Sequence, residues 1–232
     1  MTLLDAADAA PLMLSTRLAL ALLPAYLLGA ALLAWLLVFR LRRSAWLDAL
    51  VTVPVVFPPV VIGFVLLWAC GRETALGRAL RLVNADPVFH ASGLWLAALI
   101  AGLPLAVKPL QSALQTQPRA LHETALTLGC RPWAAYWLVH LPLAMPALLG
   151  GLLLALARGM GEVGISLMLG GNIIGRTETL SLAVFNAVTT GDTAQAARGS
   201  IALGVFSLLL FVLIRHFQQR QLRRNHDAFQ PG

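Results

Sequence analysis

Residues His122 to Pro142 read HETALTLGCRPWAAYWLVHLP, the one long polar and aromatic stretch in a chain that is otherwise apolar. Ahead of its glycine, Leu121, Ala125 and Leu128 recur at the i, i+4, i+7 spacing of one helical face, over 119–128. Arg119 and Glu123 lie four apart and can pair on the other face. Gly129 is the residue type that stops a helix, and Pro132 suits the first turn of the next. Trp133, Tyr136, Trp137 and His140 then share a face of that second helix. The pattern predicts two short helices meeting at a sharp elbow. Facing water, such a pair offers itself to the groove of a soluble partner. The competing reading is a loop whose aromatics lie in a membrane interface.

Outward from this stretch, the 232 residues are 59% hydrophobic and only 12% charged, where soluble domains carry about 25% charge. With a mean hydropathy of +0.79, the chain reads as an all-α integral membrane protein. The formal net charge of +7 does not point to nucleic acid, because the basic residues cluster beside apolar spans rather than on an aromatic-interleaved domain. The single lysine, Lys108, precedes Pro109. A P-loop needs lysine followed by serine or threonine, so any ATPase coupled to this chain is another polypeptide.

Five spans follow in order, at about 18–39, 50–69, 94–107, 143–169 and 201–214 within a single domain covering 1–232. The mildly acidic N-terminus has no basic region ahead of its apolar run, and no cleaved signal peptide is expected. Ten basic residues (40, 42, 43, 108, 119, 131, 215, 220, 223 and 224) fall on one side and six (17, 72, 78, 81, 176 and 198) on the other. By the positive-inside rule this predicts an N-out, C-in topology with the 109–142 region in the cytoplasm. Cys70 and Cys130 then lie on opposite sides of the membrane, and neither a disulfide nor a metal site is expected. The histidines at 90, 122, 140, 216 and 226 are scattered, so no metal-dependent or other catalytic set is indicated.

Two features inside the spans carry candidate function. Pro58 and Pro59, with Pro54 ahead of them, interrupt the second span, and the freed carbonyls must be satisfied by a packed kink or by a water-lined pore. Arg158 and Glu162 lie four apart in the fourth span, either as a structural ion pair or as a gate in a pore. Glycines at 150, 151, 159, 161 and 164 of that span predict close helix packing.

Glu123, Ala125, Leu128 and Gly129, followed by Leu141 and Pro142, resemble in spacing the EAA motif of bacterial ABC-importer permeases, with Thr124 in place of the first alanine of its Glu-Ala-Ala run. Four further stretches are similar to the permease subunit of molybdate ABC importers: VPVVFPPVVIGF (53–64), LPLAMPALLGG (141–151), ARGMGEVG (157–164) and GNIIGRTETLSLAVFNAV (171–188). The chain departs from the pattern at Val163, where an aromatic is usual, and at Leu138, where the coupling region is often basic.

The resemblance implies a type I ABC-importer permease fold with a cytoplasmic coupling helix. It implies a non-enzymatic, cofactor-free subunit of the bacterial inner membrane that forms a pore as a homodimer. Its partners would be two copies of a cytoplasmic ATPase and a periplasmic molybdate-binding protein. Glu123, Ala125, Leu128, Gly129, Leu141 and Pro142 would serve the ATPase contact, with Arg158, Glu162, Pro58 and Pro59 as candidate pore or gate residues. Tungstate and sulfate are alternative cargoes of the same tetrahedral shape. A secondary transporter or channel is the rival class; such folds usually carry internal repeats, which this chain lacks.

Overall fold

The computed structural model describes residues 6–41 and 44–227, and the described residues are helical with no strand. Of the arginines used above as charge markers, Arg42 and Arg43 lie outside the described residues, as do the side chains of Arg220, Arg223 and Arg224. The elements are α1 (Ala6–Trp35), continuing through a π turn at Leu36–Arg40, α2 (Ala45–Val56), α3 (Pro59–Ala69), α4 (Ala75–Leu82), α5 (Ala91–Gln115) and α6 (Arg119–Thr127). They continue with α7 (Pro132–Ala135), a second π turn at Tyr136–His140, α8 (Leu141–Leu143), α9 (Met145–Met160), α10 (Gly164–Gly170), α11 (Leu180–Thr189) and α12 (Thr193–Asp227).

Three stretches are single helices long and apolar enough to cross a bilayer: Ala9–Arg40, Ala91–Gln115 and Thr193–Leu213. Two more candidate spans are bent pairs, α2 with α3 at 115° and Pro132–Leu143 with Met145–Met160 at 75°. The first bend follows from proline chemistry. A residue before proline is pushed out of the helical region, and here two in succession obey: Phe57 (φ −81°, ψ 145°) precedes Pro58, and Pro58 (φ −57°, ψ 131°) precedes Pro59. The proline-interrupted second span expected over 50–69 is therefore two helices, broken at Phe57 and Pro58.

The two halves of the broken pair meet α5 at different levels. Asp48 in α2 lies beside Lys108 of α5, whereas Ile62 and Leu66 of α3 pack at Ala97, Ile100 and Ala101, about two to three turns nearer the start of α5. At a 115° bend the second half turns back relative to the first, and α3 packs chiefly on α10. The third span, expected to end at Lys108, runs on through Pro109 to Gln115. The Lys108 ammonium sits 2.7 Å from Asp48, which also accepts from Gln111 at 2.9 Å, so the charge is matched and the helix need not end there. The fourth expected span, 143–169, is also divided, with Gly161, Glu162 and Val163 separating α9 from α10.

α5 is the centre of the bundle and packs on α1, α9 and α10. Tyr26 of α1 drives its ring between α5 and α9, and its hydroxyl donates to the Ala98 carbonyl at 2.6 Å. Glycines make the room. A Cβ on Gly102 would fall 2.3 Å from the Tyr26 Oη and 2.4 Å from the Ala155 carbonyl oxygen, and one on Gly159 would fall 2.4 Å from the same Oη. Between membrane helices, where burial against lipid tails brings no hydrophobic gain, such close approach is what holds the bundle. The glycines of α9 thus serve packing inside the chain.

Candidate functional site

The elbow forms where the pattern placed it. Pro118 (ψ 136°) sets the start of α6. Its end is closed by Gly129 N–H donating to Leu126 O and Cys130 N–H donating to Ala125 O, both at 3.0 Å, with Gly129 left-handed at φ +85°. Arg131 is extended, Pro132 opens α7, and the π turn follows. Arg119 and Glu123, expected to pair, do not; both point outward to solvent instead.

What the second arm does with its aromatic face is a finding of the tertiary structure. Tyr136 and His140 are buried, and they turn inward onto α1. The Tyr136 hydroxyl donates to the Ala31 carbonyl at 2.7 Å. Phe39, in the π turn that ends α1, lies against His122, Tyr136 and His140 with ring centroids 5.0–5.7 Å apart. Trp133 meets Trp35 edge to face at 4.6 Å. Sequence periodicity placed these rings together on a face; it carried no sign that the face belongs to the chain's own first span.

A polar chain completes the docking. Gln117 Nε2 donates to the His140 backbone carbonyl at 3.0 Å, and its Oε1 lies 2.5 Å from His140 Nδ1. An amide oxygen only accepts, so His140 Nδ1 carries the proton. In the neutral ring Nε2 is then an acceptor, and the 3.0 Å contact to His122 Nδ1 makes His122 the donor. The His122–His140 contact joins residues 18 apart and Gln117 reaches 23 residues, so no local pattern marks this group.

Outward, the elbow shows Glu123, Leu126, Leu128, Gly129 and Leu138, with Leu128 79% and Leu138 72% exposed. Of the six candidate coupling residues, Glu123, Leu128, Gly129 and Pro142 are exposed, whereas Ala125 and Leu141 are buried and shape the elbow from inside.

Of the intramembrane candidates, Arg158 and Glu162 pair directly. Glu162 is fully buried in the break between α9 and α10. One carboxylate oxygen accepts from the Arg158 guanidinium, and the other accepts the Ile165 amide at 2.8 Å in the first turn of α10. The Ser181 hydroxyl reaches the Glu162 carbonyl at 3.4 Å. Two residues on, Gly164 lies against the proline break: its Cβ would stand 3.0 Å from Pro59 Cβ. The Arg158–Glu162 pair and the proline break are thus neighbours by way of Gly164, two residues past Glu162. Among the described residues, no three His, Cys, Asp or Glu side chains gather as a metal site.

Residues 25–225 match the family described as binding-protein-dependent transport system inner membrane component. The chain belongs to this family. The permease is 34% identical over 204 residues to the molybdenum transport system permease protein ModB of Haemophilus influenzae, covering 84% of this chain and 88% of the relative. It is 37% identical over 183 residues to ModB of Escherichia coli strain K12, covering 76% and 80%. In fold it is similar to a bacterial ABC transporter involved in the import of the acidic polysaccharide alginate, with a TM-score of 0.68 at 17% identity, over 94% of this chain and 80% of that one. Membership places the permease in a bacterial inner membrane as a multi-pass transport component.

Proposed function

We propose that this permease is the pore-forming subunit of an ATP-driven molybdate importer. It works as a homodimer, N-terminus outside and C-terminus inside. Two copies of a separate ATPase dock on the 119–142 elbow, and an extracytoplasmic binding protein delivers the oxyanion. ATP hydrolysis is the partner's chemistry, since this chain lacks a P-loop.

The observation that carries the reading is the double character of the elbow. Its outer surface, Glu123, Leu128 and Gly129, is free for a partner, while Tyr136, His140 and Gln117 bind its inner surface to the ends of α1 and α5. A push on the outer surface is therefore carried into both helices, and through the 75° bend into α9, which bears Arg158. Closure of the ATPases would shift the population between inward- and outward-open pores by that route. The Arg158–Glu162 and Pro58–Pro59 junction is the proposed gate. Glu162 offsets the attraction of Arg158 for a passing dianion, so the pair holds a closed junction better than it binds cargo.

The test is purification from gentle detergent followed by reconstitution. An ATPase that co-purifies, and uptake of labelled molybdate that needs ATP and is competed by tungstate or sulfate according to the binding protein present, is the expected result. A chain that elutes alone and transports without ATP is a secondary transporter or channel, and the proposal falls.

A further inference from the structure

Helix α4 faces the wrong way for a helix on a water-soluble surface. At 100° per residue, Leu82, Ala79, Val83, Leu76 and Leu80 follow one another round an arc of about 160°, with Leu82 at its edge beside Arg78, and Gly77, Arg81 and Arg78 occupy the other side. Of the basic side only Gly77 is packed into the protein, while Arg78 is exposed and Arg81 half-buried. Gly77 is buried so closely on the preceding turn that a Cβ there would fall 2.0 Å from the Gly71 carbonyl oxygen and 2.5 Å from that of Cys70. Arg78 donates to the Glu73 carbonyl at 2.8 Å and Arg81 to the Arg72 carbonyl at 2.6 Å. The apolar side points away: Leu76, Leu82 and Val83 are 51%, 86% and 70% exposed, and α4 makes no extensive contact with another helix among the described residues.

Depth and charge identify what covers this face. The segment starts at the end of α3 and closes at the start of α5, on the side of the bundle opposite the elbow. Aromatics flank it at both ends: Trp68 in the last turn of α3, 68% exposed, and Phe89 just before α5, 47% exposed. Half-exposed aromatics at span ends mark the headgroup level of a bilayer. Among the described residues, Arg72, Arg78 and Arg81 have no carboxylate partner. Each guanidinium has five N–H donors, so after one backbone bond Arg78 and Arg81 keep donors for phosphate oxygens along the rim of the apolar face.

We propose that α4 is an interfacial helix. Leu76, Leu82 and Val83 enter the acyl boundary of the leaflet opposite the elbow, while Arg72, Arg78 and Arg81 bind the phosphates of anionic phospholipid. The helix so anchored holds the outer end of the broken α2–α3 span, and with it the Pro58–Pro59 side of the junction, at a set depth.

Spin labels test this on the full permease in vesicles, at Leu76→Cys, Leu82→Cys and Val83→Cys, with Glu73→Cys as the water-facing control and Cys70 and Cys130 replaced by alanine. Labels at 76, 82 and 83 should collide readily with oxygen and poorly with a water-soluble nickel complex, the reverse of position 73. They should lie deeper in phosphatidylcholine vesicles containing phosphatidylglycerol than in phosphatidylcholine alone, and the Arg78→Gln, Arg81→Gln double variant should lose that difference. Free access of the nickel complex to 76, 82 and 83 overturns the proposal in favour of a water-exposed face. Protection from both oxygen and nickel overturns it in favour of a protein partner, whether a second copy or a binding protein. An identical depth in the two lipids overturns the headgroup recognition.

Discussion

Replacing Gly129 by aspartate separates the shape of the elbow from the surface it presents. The glycine sits at φ +85° with nothing within 4 Å of where a Cβ would stand, so a Cβ there meets no atom of the permease. The cost to the fold is conformational alone. A non-glycine residue in the left-handed region costs about 1–2 kcal/mol, with asparagine and aspartate at the lower end because they bond locally to the backbone. For a chain of this size that lowers the apparent melting temperature by roughly 2–4 °C per kcal/mol. Gly129→Asn and Gly129→Asp should therefore fold and insert alike, with nearly equal small losses measured by fluorescence-detected size exclusion after heating. They should part in function, because the aspartate puts a charged carboxylate beside the exposed Leu128 in the surface proposed to enter the ATPase cleft. The aspartate variant should lose both the co-purifying ATPase and ATP-driven uptake, and the asparagine variant should keep more of each. Wild-type uptake by Gly129→Asp refutes the coupling role of this surface. A collapse of stability far beyond a few degrees refutes the open space around Gly129.

Gly159→Ala should destabilise by about 1–3 kcal/mol as an overpacked contact, and Tyr26→Phe should recover much of it by removing the oxygen that the new Cβ strikes. Gly102→Ala should resist the same rescue, because the Ala155 carbonyl remains 2.4 Å away; equal rescue at both glycines, read by thermal stability, contradicts the packing described. Arg158→Ala strands the buried Glu162 carboxylate and should reduce assembled permease by an amount on the order of 3–5 kcal/mol. The double variant Arg158→Met, Glu162→Gln should then assemble better than the single one, and a double variant that assembles worse sinks that argument.

Much of the elbow was legible before any coordinates. Gly129 and Pro132 act within a turn or two of backbone, and the apolar spacing of 119–128 states a helical face directly. The Pro58–Pro59 break was also readable as an interruption, because each proline constrains the residue before it. Its 115° angle was not, since the angle depends on α3 packing against α10. Lys108 misled as a span boundary for a related reason: it is neutralised by Asp48, 60 residues away, and charge alone does not announce its partner.

Composition, hydrophobic run length and the glycine and proline punctuation determined by themselves that this is a multi-span helical membrane protein with a two-armed polar insert, because each acts over one turn or one span of chain. Tertiary structure alone decided which way the aromatic face of the second arm turns, that Gln117, His122 and His140 form one hydrogen-bonded chain, and that Glu162 caps α10 beside the proline break. Those contacts bring together residues remote in sequence, and the choice among possible partners is made only when the helices pack.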